Sequence, residues 1–248
     1  MLTSLKKELV ASLHTMHKLN QIRSYLSLIP VSNAIAELSG SSRHRFCEAV
    51  EGYEENEKNL SEAFKKKDIS LCEILITTQM AEHFLFRRIE LSSKIVRQYQ
   101  EFFDLHDGGM EVQFIFVYRI FYSGLVAFHC FRDTQDRYWM DRGRDAISRM
   151  EALHSECKWN FENKMLLLSA EYYFSTGDFE KAAQAYQLSI ASARAHRFVN
   201  EEAMSNELAA YFHAKSGSKD LSIRLKKHAI ECYQSWGATT KATLLQSS

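Results

Sequence analysis

Proline occurs once in the 248 residues, at Pro30. A chain with a single proline has few rigid turns and is free to build long helices. An excess of charge of one sign is also missing: Lys and Arg number 31, as do Asp and Glu. No global field draws such a chain onto nucleic acid or an anionic membrane. The five cysteines, Cys47, Cys72, Cys130, Cys157 and Cys232, are odd in number and far apart. That spacing suits neither a disulfide framework nor a zinc site, and it predicts reduced, buried thiols in a cytoplasmic protein. Catalytic signatures are absent as well. The glycine-bearing stretch GSSRHRF at Gly40 has neither the glycine spacing nor the Lys-Ser/Thr pair that a phosphate-binding loop needs. No Ser-His-Asp or Cys-His grouping can be assembled, so no cofactor or enzymatic activity is expected.

What the sequence does contain is helical periodicity. Leu2, Leu5, Leu9, Leu13 and Met16 recur at spacings of three and four, which predicts an amphipathic first helix rather than a leader, because Glu8, His14 and His17 interrupt any apolar core. That helix has no obvious cap at Met1, which leaves open whether a neighbour precedes it. Residues 112–131, VQFIFVYRIFYSGLVAFHCF, are long enough to cross a bilayer, but Arg119 stands near the middle. The expectation is a buried helix in a soluble core, with Gly124 admitting a close neighbour and Arg119 reaching an edge or a carboxylate.

The stretch YYFSTGDFEKAAQAY, residues 172–186, reads as a helical hairpin. Gly177 suits the left-handed position after one helix and Asp178 caps the next. Forty residues on, Gly217 and Ser218 repeat this grammar, with Ala170, Ala182 and Ala209 as the small residues of close helix packing. Weaker copies are expected around Lys67-Asp68 and Arg132-Asp133-Thr134. Pro30 and residues 39–45 and 104–109 are the best breaks, and none is long enough to part independent domains. The predicted fold class is therefore all-α: one α-solenoid of TPR-like helix-turn-helix repeats over residues 1–248, with about ten helices. Residues 1–134 hold degenerate repeats, and residues 135–248 hold clearer ones that end in a capping helix with Leu244 and Leu245.

Isolated polar features have plain readings. His14 and His17 lie one turn apart but lack further ligands at metal spacing. The basic runs Lys65-Lys66-Lys67, Arg87-Arg88 and Lys226-Lys227 read as solvated faces, and the abundant aromatics as a core stripe.

The last third carries a resemblance. KWNFENKMLLLSAEYY, ASARAHRFVNEEAMSNELAAYF and ECYQSWGATTKATLL together resemble the C-terminal helical-repeat region of signalling proteins in which an AAA-type ATPase precedes the repeats, often with sensor kinase or cyclase domains elsewhere. The matching positions are Asn160, Phe161, Lys164, Leu166 to Leu168, Ala170 and Glu171, then Glu202, Ala203, Asn206, Glu207, Leu208 and Ala209, then Tyr233, Trp236, Gly237, Ala238 and Lys241. The likeness covers residues 139–246, and the family's kinase and ATPase domains are not in this chain. It implies a regulatory segment, either a piece of a longer product or a protein that kept only the repeats. The expected function is a non-enzymatic scaffold whose partner is a protein or peptide, such as an ATPase or kinase domain. The alternative is a small-ligand sensor built around Arg119. Candidate partner-binding residues are Asn206, Glu207, Glu202, Lys164 and Glu171, although Asn206 and Glu207 could instead bond a neighbouring helix. Gly177, Asp178, Gly217, Trp236 and Gly237 are the candidate structural residues, the last two closing the final helix.

Overall fold

The computed structural model describes residues 2–40, 56–106 and 114–247. Cys47, most of the 39–45 break and the Asp107–Gly109 part of the other break lie outside the described residues. Thirteen helices and no strand occur among the described residues. They are α1 (Leu2–Lys18), α2 (Ile22–Leu38), α3 (Asn56–Lys65), α4 (Ile69–Leu85), α5 (Ile89–Gln98), α6 (Gln100–Leu105), α7 (Phe114–Thr134), α8 (Arg137–Glu156), α9 (Lys158–Thr176), α10 (Phe179–Ala195), α11 (Val199–Lys215), α12 (Lys219–Trp236) and α13 (Thr239–Ser247).

The count exceeds the expected ten because many breaks carry neither glycine nor proline. Asn20, Lys67, Arg87, Gln135 and Arg197 take the left-handed conformation at helix ends, with φ between 54° and 60°. This conformation disfavours a side chain by roughly 1–2 kcal/mol, so sequence rules place glycine there. Packing of the next helix supplies the difference. Pro30, expected to mark a break, is instead buried inside α2. The break expected at residues 132–134 falls later: Arg132 is still in the last turn of α7, and Asp136 caps α8 through Tyr138 N–H at 3.0 Å.

Other turns follow their local chemistry. Gly177 has φ 82°, and Asp178 accepts from Lys181 N–H at 3.2 Å to start α10. Asp68 does the same for α4 through Leu71 N–H at 3.1 Å. Gly217 is also left-handed, but Ser218 makes no side-chain cap, unlike Asp178.

Helices α2, α4, α7, α9 and α11 form a row in which each touches the next, and most of the remaining helices pack outside it. The α7 segment passes the length and hydropathy test for a membrane span, yet 61% of its apolar window is buried in the protein. Gly124 lets it pack closely: a Cβ there would lie 2.7 Å from Ala146 Cβ and 2.8 Å from Leu168 Cδ2. Gly143 plays the same part from α8 against the ring of Phe128.

The first and last helices meet. Leu2, Leu9, Leu13, Ile29 and Ile35 of α1 and α2 share a core with Ala203, Ala229, Tyr233 and Ala242 of α11, α12 and α13. Gly237, with φ 99°, faces Leu2, and Thr239 Oγ1 donates to the Ser39 carbonyl at 3.1 Å. Trp236 is the last residue of α12, and Leu244 on α13 is 49% exposed. The C-terminal helix is thus covered by the N-terminal pair, which sequence periodicity alone did not indicate.

Candidate functional site

Buried acids of the row bond within the chain, whereas the hydroxyls of Ser32 on α2 and Thr77 on α4 are buried with no hydrogen-bond partner among the described residues. On α9, Glu171 takes Arg132 of α7 at 2.7 Å and the hydroxyl of Tyr186 from α10. On α11, Glu201 takes Lys164 Nζ at 2.8 Å, the amide of Asn163, and Tyr118 OH at 3.4 Å. Further along the same helix, Glu207 takes Lys241 Nζ at 2.6 Å and Tyr233 OH at 2.7 Å. Glu73 of α4 pairs with Arg119 of α7 at 2.6 Å.

Burial without water makes such groups costly unless each finds a partner. The titrations reflect this balance. Burial and the adjacent Glu171 push the Tyr186 phenol far up, and burial with Glu207 does the same to Tyr233. For Lys241 burial outweighs Glu207 and lowers the ammonium pKa, whereas for Arg132 burial opposes the charge and Glu171 overcomes it.

Four of the five sequence candidates for partner binding, Lys164, Glu171, Glu202 and Glu207, bond side chains of neighbouring helices, and the fifth, Asn206, donates to the Glu202 carbonyl at 2.8 Å within α11. Asn206 is 1% exposed and Glu207 8%, so neither faces an open groove. Glu202, as buried as Glu207, accepts from Nε of the exposed Arg194 of α10 at 2.7 Å. Sequence reading missed Glu201, Asn163, Tyr118 and Glu73. Their signal was available as polar residues in apolar stretches, but the partners lie 37 or more residues away along the chain for pairs such as Lys164 with Glu201 and Arg119 with Glu73.

The guanidinium of Arg119 lies 4.8–4.9 Å from the ring centres of Phe116 and Phe103. The space beside it, toward Arg142 and Arg149, holds about 20 Å³. That is room for a water rather than a metabolite.

Open space occurs elsewhere, around Phe64. Between α3, α4 and α5 lies a groove of about 680 Å³ lined by Leu60, Phe64, Gln79, Leu91, Ile95 and Tyr99. On the other side of Phe64 a second hollow of about 370 Å³ runs between Ile69, Cys72, Phe102, Leu105 and His106. Phe64 stacks on Tyr99 at 5.9 Å and meets Phe102 edge-on at 5.4 Å, so the two hollows form one trough with a ring at its centre. Its floor is buried core, while Phe64, Leu91 and Leu105 remain 38%, 43% and 78% exposed. The rim carries Lys65, Lys67 and Lys94, with Glu101 opposite. Among the described residues, α3, α5 and α6, which are 10, 10 and 6 residues long, border the trough beside α4. Searches of family models, curated proteins and solved structures return no match to this chain.

Proposed function

We propose that this chain is a non-enzymatic interaction scaffold, an α-solenoid of TPR-like repeats that takes an amphipathic helix of a protein partner into the trough around Phe64. The observation that carries this reading is the trough itself: an open groove of mixed polar and apolar lining that continues into an apolar hollow beside Phe102 and Leu105, with lysines at its rim. Exposed apolar surface of this size marks an interaction site, and aromatic rings are common anchors. An apolar stripe with acidic flanks complements Phe64, Leu91 and Leu105 with Lys65, Lys67 and Lys94. The resemblance of residues 139–246 to ATPase-linked signalling repeats supports a partner drawn from such a system, in cis or in trans. In this reading the family-like residues Lys164, Glu171, Asn206, Glu207 and Lys241 hold the repeats together, and binding falls to the other half. A reducing, cytoplasmic setting fits the thiols, since burial pushes Cys72, Cys130 and Cys232 up to about 11 and suppresses their thiolates.

The test is site-specific photo-crosslinking in the source cell, with the probe at Leu91 and, as control, at Ile223, which is 67% exposed on α12. A discrete protein adduct at Leu91, absent at Ile223 and lost in Phe64→Glu, is the expected result. The same adducts at both positions, or adducts that survive Phe64→Glu, would sink the reading.

A further inference from the structure

The buried cations described above are each answered by a carboxylate: Arg119 by Glu73, Arg132 by Glu171, Lys164 by Glu201 and Lys241 by Glu207. Arg87 differs. It follows α4 in the left-handed conformation, φ 58°, which turns its side chain toward α11. Its guanidinium lies 5.3 Å from the centre of the Tyr211 ring, and Nη1 is buried with no hydrogen-bond partner among the described residues.

The groups around Arg87 do not neutralise it. Its charge lowers the pKa of His129 and Lys241 and opposes the rise at Tyr186 and Tyr233. Glu171 is already bonded to Arg132 and Tyr186, and Glu207 to Lys241 and Tyr233. His129 is held neutral, its pKa lowered to about 3 by burial and by Arg87 and Arg132. A second cation, Lys215, approaches the same Tyr211 ring at 5.6 Å. Lys215 is exposed, whereas the buried Nη1 of Arg87 has no acceptor among the described residues, and a ring face is a weaker partner for it than an oxygen.

We propose that Arg87, with Tyr211 and Lys215, forms a binding site for a small free oxyanion, a phosphate or a carboxylate. The planar fork of a guanidinium offers paired N–H donors that match two oxygens of either group, and Lys215 adds a mobile point charge at the solvent side. Arg87 and Tyr211 are both only half-buried, so an ion can enter from solvent. This site is separate from the trough, and neither reading depends on the other.

The experiment is thermal unfolding and isothermal titration of the purified chain with potassium phosphate and with sodium acetate, against potassium chloride at equal ionic strength. Phosphate or acetate should raise the melting temperature with concentration while chloride does not. Arg87→Gln should weaken binding about tenfold or more, as loss of a charge-assisted hydrogen bond does. Arg87→Lys, which keeps charge but loses the fork, should fall between. No shift with either anion, or an equal shift in Arg87→Gln, overturns the proposal. If Arg87→Gln does not fold, the Arg87 Nε resonance of the native chain, assigned with Arg87→Lys, decides: it should move on adding phosphate or acetate, and an unmoved signal overturns the site.

Discussion

Helices α9 to α13 and helices α3 to α6 handle the same task in opposite ways. In the first region four of the five helices are 17–19 residues long, α10 and α12 cover neighbours along their length, and the polar groups turned inward meet partners there. In the second, helices of 10, 10 and 6 residues flank α4, and apolar surface stays open between them. Full-length pairing makes room for buried charge, because every ion can be given a neighbour. Short helices leave a surface for something else to cover. The region richest in family-like polar residues is therefore the least available to a partner, and the region with the weaker repeat pattern is the most available.

The contrast can be broken most severely by removing one ion from a buried pair. Arg132→Met strands Glu171 inside the fold and should cost about 3–5 kcal/mol in urea unfolding. Lys94→Met, at the trough rim, breaks a pair whose side chains are 64% and 81% exposed and should leave the urea midpoint close to that of the native chain. Equal losses at the two sites would remove the distinction between the regions.

Next comes packing. Gly143→Ala places a methyl against the ring of Phe128 and should cost about 1–3 kcal/mol, read as a lowered urea midpoint with unchanged slope.

A pH titration sharpens the comparison further. His129 has its folded pKa depressed from 6.5 to about 3 by burial, Arg87 and Arg132, so between these values the unfolded chain binds the proton and the folded chain does not. Stability is then highest above pH 6.5 and falls as the pH drops toward 3, by up to about 1.4 kcal/mol per unit. His129→Gln should flatten that part of the profile. A native profile already flat from pH 6.5 to 4 would contradict the buried, neutral His129.

The smallest stability effect belongs to the trough. Phe64→Ala removes two ring contacts and should cost about 1 kcal/mol, while binding of the partner is lost. A large drop in melting temperature with binding retained would reassign Phe64 to the core.

Much of the fold was legible because helical spacing and caps are local. The face of Leu2, Leu9 and Leu13, the Gly177-Asp178 turn and the close approach at Gly124 are each written within a few residues, although Leu5, expected on the same face, stays 47% exposed. Breaks at Arg87 and Arg197 were not, since glycine and proline rules are blind to a left-handed arginine stabilised by the next helix. The polar candidates were found as unusual residues in apolar helices, but their direction was not. Asn206 and Glu207 look the same in sequence whether they face a groove or a neighbour, and only Lys241 and Tyr233, brought in from α13 and α12, distinguish the two.

The sequence by itself determined the helical character, the reliance on small residues for close packing, and the burial of most of the apolar helix that Arg119 interrupts. These follow from periodicity, capping chemistry and the cost of one charge in an apolar setting. Only the tertiary structure decided that the N-terminal pair covers the C-terminal helix, that the conspicuous acids are internal linkers, and that the open apolar surface lies around Phe64. Each of those depends on which distant helices meet. Helix-to-helix contact is set by the summed fit of surfaces far apart in the chain, and no local pattern of residues encodes it.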